Sequence, residues 1–365
     1  MRPDPLGPAA SPQGLGRRLG ILSLELAPAL AVALVLLPWI IATGSAEPWR
    51  PAMIDLDVYL AAVHDLLAGN DIYATRTPTW NLPFIYPPIA ALLFVPLAVL
   101  PLWGVQVLWA GLTVLAQWLI LARAGVRRGV PLALANVALV AAFEPFRTTL
   151  GYGQVNTLLM ALVVADLLPT RQRSPWFPRG ALIGLAAAIK LTPLAFLVFA
   201  VLVGRRAVAA WGIGTFAGLT GIGVLVLPTE SGVFLGKVVT GDLYGDPVYV
   251  GNQSLGAVFT RLIGTDPTTE NVALVVSGLI AFVALVAATL WWHRGERVLA
   301  VGLIGLATCL GSPLSWTHHH VWALLLGLAA LFAALSVASR VLLGGWVLWV
   351  ALCPVLVFLP YGQGA

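Results

Sequence analysis

The chain has 365 residues, of which 59% are hydrophobic and only 10% are charged, with a mean hydropathy of +0.93. Soluble domains carry about 25% charged residues, so the composition excludes a soluble enzyme. The net charge of +5 comes from 20 basic against 15 acidic residues; it follows membrane topology and does not indicate a nucleic-acid partner.

Residues 1–18 read as a cytoplasmic tail ending in Arg17 and Arg18, and residues 19–365 as one transmembrane domain. The apolar run Leu19–Thr43 is longer than the core of a signal peptide and predicts an uncleaved first span. A polar loop follows over 46–86. Within it, "MIDLDVYLAAVHDLLAGNDIYA" predicts a short amphipathic helix stopped at Gly69-Asn70. Further spans are predicted at 84–101, 103–124, 131–146, 153–169, 179–203 and 207–227. A second polar loop covers 228–271, and spans at 271–293, 298–315, 318–338 and 341–360 complete the chain. Each is near the roughly 20 residues that cross a hydrocarbon core, and the runs are too continuous for a β-barrel. The expected fold is therefore an all-α polytopic membrane protein of about 10–12 transmembrane helices. The segments "PFIYPPIAALLFVPLAVL" and 179–203, interrupted at "KLTP", predict kinked or half-spanning helices. Irregular backbone at membrane depth survives only where protein or a cavity surrounds it, so these breaks point to an internal cavity.

Arginine distribution sets the expected orientation. The links carrying Arg17, Arg18, Arg123, Arg127, Arg128, Arg171, Arg173, Arg179, Arg205, Arg206, Arg294, Arg297 and Arg340, together with Arg2, hold 14 of the 20 basic residues. By the positive-inside rule this side is cytoplasmic. The opposite links hold 11 of the 15 acids, among them Glu47, Asp55, Asp57, Glu144, Asp242 and Asp246. Cys309 and Cys353 sit inside apolar runs and read as small core residues.

Polar residues gather at the outer ends of the spans, where ionisable groups mark functional paths. Asp55 and Asp57 spell D-x-D, but positions i and i+2 of a helix point about 200° apart, so they do not converge on one metal. One is expected to face a cavity; Asp57 also fits a first-turn acid. Arg147, three residues after Glu144, is either half of a helix-end ion pair or a phosphate clamp. Lys190, one of two lysines, either snorkels or serves a site at its helix break. Tyr86 belongs to the same outer-face set; Gln154 and Asn156, and Asn252 and Gln253 of "GNQS", suit either sugar hydroxyls or helix-end backbone. In "SPLSWTHHHVW" the three histidines lack the i, i+4 spacing of a zinc helix. A contact to an anion suits them better than a metal, and no metal or cofactor is expected.

These motifs, in chain order, resemble glycosyltransferase family 87, the actinobacterial polyprenyl-phosphate-mannose-dependent α-1,2-mannosyltransferases. The quoted stretches at Asp55, Tyr86, Arg147–Asn156, Lys190, Asn252 and the histidine run carry the likeness over about 20–360. The resemblance implies a GT-C bundle whose active site lies at the outer face of the plasma membrane. It implies an inverting transfer of mannose from a polyprenyl-phosphate-mannose donor to a lipid-anchored mannoside, of phosphatidylinositol mannoside, lipomannan or lipoarabinomannan type. Asp55 would be the general base, and His318 and His319 the pair that approaches the donor phosphate, joined by Arg147 and Lys190. Tyr86, Gln154, Asn156, Asn252, Gln253 and Asp57 would contact sugar or acceptor. His320 departs from the family pattern, which commonly has an aromatic residue there. A multi-pass transporter is the competing reading, since broken helices and intramembrane charge suit it too. Polar groups confined to one face and the lack of an inverted repeat count against it.

Overall fold

Proline and glycine decide where the apolar runs become separate helices. A computed structural model describes residues 12–43, 53–168, 178–240, 251–264, 266–312 and 314–353. Arg2, Arg171, Arg173, Glu47, Asp242 and Asp246 lie outside the described residues, as does Pro313. The described chain is helical, with two isolated antiparallel bridges, Arg76 to Pro83 and Asn252 to Trp316.

The first helix, α1 (Pro12–Thr43), takes in residues 12–18 of the expected tail. The predicted loop helix is α2 (Ile54–Ala68), capped at Gly69. Leu56, Tyr59, Leu60 and Val63 are all buried, so its apolar stripe is packed into the bundle. Next come α3 (Pro88–Phe94), which tightens into a 3-10 turn at Val95–Val99, and α4 (Leu102–Arg123). The expected span 131–146 is instead α5 (Val130–Ala141), bent by 64° into α6 (Glu144–Tyr152). Pro145 at the start of α6 explains the bend, because it cannot continue the ladder of α5. The chain continues through α7 (Asn156–Leu167), α8 (Ala181–Ile189), α9 (Leu194–Leu202), α10 (Arg206–Val226) and α11 (Pro228–Thr240). It ends with α12 (Leu255–Ile263), α13 (Pro267–His293), α14 (Arg297–Gly311), a 3-10 turn at Thr317–Trp322, α15 (Ala323–Phe332) and α16 (Val337–Leu352). The second polar loop therefore carries α11 and α12.

The result is an all-α polytopic membrane protein. Among the described helices, four are long and apolar enough to cross a membrane alone, or five counting the bent α5–α6 pair. The other expected crossings are shorter apolar helices. The reason is local: Pro193 interrupts α8 and α9 at the predicted "KLTP" break, and Lys190 there is extended, with φ −150° and ψ 130°.

Between helices in lipid, packing replaces the hydrophobic drive, so small residues set the closest approaches. Gly184 of α8 meets α10 at Gly212: a Cβ on Gly184 would run into the Gly212 carbonyl oxygen and lie 2.7 Å from Thr215 Cβ. At the arginine-rich end, Glu25 of α1 is fully buried. It accepts from Arg128 Nε (2.8 Å), the Gly129 amide (2.6 Å) and Trp118 Nε1 (2.9 Å), tying α1 to the α4–α5 link. Arg205 and Arg297 both lie 5.4 Å from the Trp292 ring. Arg179 is close enough to repel Arg123 and Arg205. The arginines of four links thus share one end of the bundle. Lys190 lies at the other end of α8 from Arg179, about 14 Å away along nine helical residues.

Gly184→Val should destabilise the protein by about 1–3 kcal/mol through overpacking. Thermal unfolding in detergent should show its midpoint several degrees lower, whereas Gly214→Ala, on the same α10 with nothing within 4 Å of its Cβ, should leave the midpoint in place.

Candidate active site

The site begins with how α2 is seated. The Met53 amide donates to the Gly151 carbonyl at 2.7 Å, fixing the start of α2 on the end of α6. Gly153 turns the corner from α6 to α7 with φ +64°, and a Cβ there would lie 2.6 Å from Leu56 Cβ. Only glycine satisfies both the left-handed backbone and the contact with α2. Asp55, in the first turn of α2, is thereby brought beside Gln154.

Asp55 opens onto a cavity of about 560 Å³ walled by the start of α2, the α6–α7 corner, the α8–α9 break, α11 and the 3-10 turn Thr317–Trp322. Of the sequence candidates, Asp55, Tyr86, Gln154, Asn156, Lys190, His318 and His319 line this cavity, while Asp57, Arg147, Asn252 and Gln253 do not. Asp57, two positions on from Asp55, is half-buried. Arg147 stands on α6 in electrostatic contact with Glu144. Asn252 is fully buried and acts on backbone. Its Oδ1 accepts from the amides of Ser254 (3.2 Å) and Ser315 (3.0 Å), and the Gln253 amide donates to the Ser315 carbonyl at 2.6 Å. "GNQS" therefore braces the approach to the histidine turn.

Burial raises the Asp55 carboxyl to about 7, even though the Lys190 charge and a hydrogen bond from Gln154 favour its ionised form. Lys190 Nζ donates to Asn156 Oδ1 at 3.0 Å and sits 5.7 Å from the Tyr86 ring. The Asn156 amide nitrogen donates in turn to the His318 carbonyl at 3.2 Å, a carbonyl that Thr149 Oγ1 also reaches at 3.3 Å. These bonds hold the histidine turn against α6 and α7.

The three histidines occupy a 3-10 turn, about 120° apart instead of the 100° of an α-helix. His318 and His319 face the cavity with rings edge-to-face, centroids 4.8 Å apart. His320 turns back, its Nδ1 3.2 Å from the Trp316 carbonyl. His319 Nδ1 accepts from the Trp316 amide at 3.3 Å, which puts the proton of a neutral ring on Nε2. That Nε2 lies 3.3 Å from Lys190 Nζ. Two donors are then neighbours, and an anionic oxygen bridging them from the cavity would accept from both. His318 is buried, and neither of its ring nitrogens has a hydrogen-bond partner. Among the described residues no group of three or more His, Cys, Asp or Glu converges as metal ligands would.

Several wall residues escaped the sequence reading. Tyr152 packs edge-to-face on His318, with centroids 5.0 Å apart, and Trp80, Trp316, Trp322 and Cys309 line the cavity. Tyr59 lies one helical turn beyond Asp55 and hydrogen-bonds Gln154 at 2.6 Å. Its i, i+4 relation to Asp55 was a signal available in the sequence.

Residues 84–313 match the model of glycosyltransferase family 87. A polyprenol-phosphate-mannose-dependent α-(1-2)-phosphatidylinositol pentamannoside mannosyltransferase of Mycolicibacterium smegmatis is 33% identical over 80% of this chain and 73% of its own length. The Mycobacterium tuberculosis protein of the same description is 33% identical over 74% of this chain and 64% of its own. A second M. tuberculosis protein, described as a polyprenol-phosphate-mannose-dependent α-(1-2)-phosphatidylinositol mannoside mannosyltransferase, is 34% identical over 76% of this chain and 70% of its own. No solved structure matches. The chain belongs to glycosyltransferase family 87 and is a membrane-embedded glycosyltransferase.

The Asp55 carboxyl should titrate near pH 7 in the unliganded protein. Lys190→Met removes a charge that favours the carboxylate, so the midpoint should move to higher pH. A carboxyl-resolved NMR titration checks both the midpoint and its direction of movement.

Proposed function

We propose that the chain transfers mannose from polyprenyl-phosphate-mannose to the 2-hydroxyl of a mannoside of the phosphatidylinositol mannoside type. The observation that carries this reading is the division of the cavity wall. Among the described residues a single carboxylate, Asp55, stands on one element, and Lys190, His318 and His319 gather on others. The names of the relatives support the donor and the acceptor class.

The chemistry needs little else. The Asp55 carboxylate takes the proton of the acceptor hydroxyl, and the resulting oxygen attacks C1 of the mannose from the face opposite the phosphate. The C1–O bond breaks, and its electron pair leaves on the polyprenyl phosphate. One displacement on a β-linked donor yields the α-1,2 product with inversion. The leaving phosphate is already acidic and needs no proton; it needs donors fixed in place as its charge grows. The Lys190 ammonium and the His319 Nε2–H, 3.3 Å apart on the cavity wall, suit that role, with His318 beside them. The apolar walls near Ile85, Leu191 and Phe196 suit the first isoprenoid units.

The positive-inside rule assigns the arginine-rich end to the cytoplasm. The cavity would then face the extracytoplasmic side, as befits a lipid-phosphate donor and a glycolipid acceptor.

The test is purified protein with labelled donor and short mannoside acceptors. Asp55→Asn should lower transfer by about 100–10,000-fold, the usual worth of a general base. Undiminished transfer by Asp55→Asn would refute the assignment. Because the base must be ionised, kcat/KM should fall as pH drops below about 7. His319→Ala should reduce kcat by roughly 100-fold, the scale of one lost anion-stabilising donor.

A further inference from the structure

Behind the cavity wall lies one buried hydroxyl, that of Tyr59, bonded to two residues of the wall, Tyr86 and Gln154. Tyr59 is fully buried and does not line the cavity. Its ring stacks on Phe94 with centroids 5.0 Å apart and meets Tyr86 edge-to-face at 5.1 Å. Its hydroxyl donates to Gln154 Oε1 at 2.6 Å and lies 3.0 Å from the Tyr86 hydroxyl. Gln154 Oε1 also receives the Tyr86 hydroxyl at 3.1 Å and the Val155 amide at 2.9 Å.

A backbone N–H can only donate, so the Val155 amide settles which way the Gln154 side chain faces. Its oxygen must point back into the cluster, and its NH2 group is left on the cavity side, where Gln154 and Asp55 share the wall and the amide favours the ionised carboxylate. Were the amide turned over, its oxygen would oppose the Asp55 carboxylate, acceptor against acceptor. Its NH2 would then oppose the Val155 N–H, donor against donor.

We infer that Tyr59 is a positioning residue for the transfer, holding the Gln154 amide so that its NH2 keeps the Asp55 carboxylate aimed at the acceptor hydroxyl. The inference rests on Asp55 being the base. Reactions that depend on oriented groups lose rate when a support moves by a fraction of a bond length, and removal of the Tyr59 oxygen loosens the amide without touching the cavity. A weakened donor also favours the protonated acid.

The experiment compares wild type, Tyr59→Phe and Asp55→Asn in detergent with labelled donor and a mannoside acceptor, across pH. For Tyr59→Phe the expected result is kcat lower by about tenfold, donor and acceptor KM within about twofold of wild type, and the acid limb of the pH profile displaced to higher pH. An unmoved acid limb overturns the inference whether or not kcat falls, because a merely structural defect would lower rate without moving it. Asp55→Asn keeps the two readings apart: if it is inactive while Tyr59→Phe behaves as wild type, the positioning role fails and the base stands. If it is active, the base assignment fails, and the positioning role with it. Should Tyr59→Phe not be recovered folded, Gln154→Met probes the same contact. This neutral substitution, which removes the donor without adding charge, must again move the acid limb to higher pH; an unmoved limb overturns the inference.

Discussion

The contact on which the site depends is the seating of α2 against the α6–α7 corner. It combines one backbone hydrogen bond, Met53 to Gly151 at 2.7 Å, with one side-chain vacancy, Gly153 under Leu56. Neither group is chemically active. Together they settle the height and rotation of α2, and so decide that Asp55 meets Gln154 while Asp57 turns away. Any side chain at Gly153 would lift α2 off the corner and withdraw the carboxylate from the cavity.

Two polar clusters adjoin that contact. Gln154 is held by Tyr59, Tyr86 and the Val155 amide; Asn156, two residues on, links Lys190 to the His318 carbonyl. Buried polar groups are costly unless partnered, and here two sets of partners meet at the α6–α7 corner, one reaching α2 and Tyr86, the other Lys190 and the histidine turn. Two groups on the cavity wall stand apart from these clusters. His318 keeps both ring nitrogens unpartnered, and His319 presents its Nε2 to an ammonium.

The helix breaks that open the cavity also divide the charges. Where Pro193 stops the continuation of α8, the chain leaves helical geometry and Lys190 reaches the cavity. Arg179, before the same helix, stays with Arg123 and Arg205 at the opposite end. One short helix thus separates the arginine cluster from the site. The lysine was legible as a break-associated cation, and the break itself was legible in "KLTP". Arg147 was equally plausible in sequence, as half of an ion pair or as a clamp; the bend at Pro145 leaves it beside Glu144 and off the cavity wall. "GNQS" could serve sugar or backbone, and the fold uses Asn252 on the backbone of Ser254 and Ser315.

Sequence alone determined what depends on neighbours along the chain. Hydropathy marked the membrane helices, proline and glycine marked their interruptions, and arginine density marked one side. The order of short motifs marked the family, since each is a local pattern of residue types. Tertiary structure decided what depends on distance across the bundle: which histidine nitrogens face the cavity, which of two aspartates does, and that Tyr59 stands behind Gln154. Those outcomes turn on packing contacts between segments far apart in the chain, as between Tyr59 and Gln154 with a separation of 95 and Asn156 and His318 with a separation of 162. A one-dimensional pattern carries no record of such distances, because a buried tyrosine supporting an amide and a buried tyrosine filling space are spelled the same way.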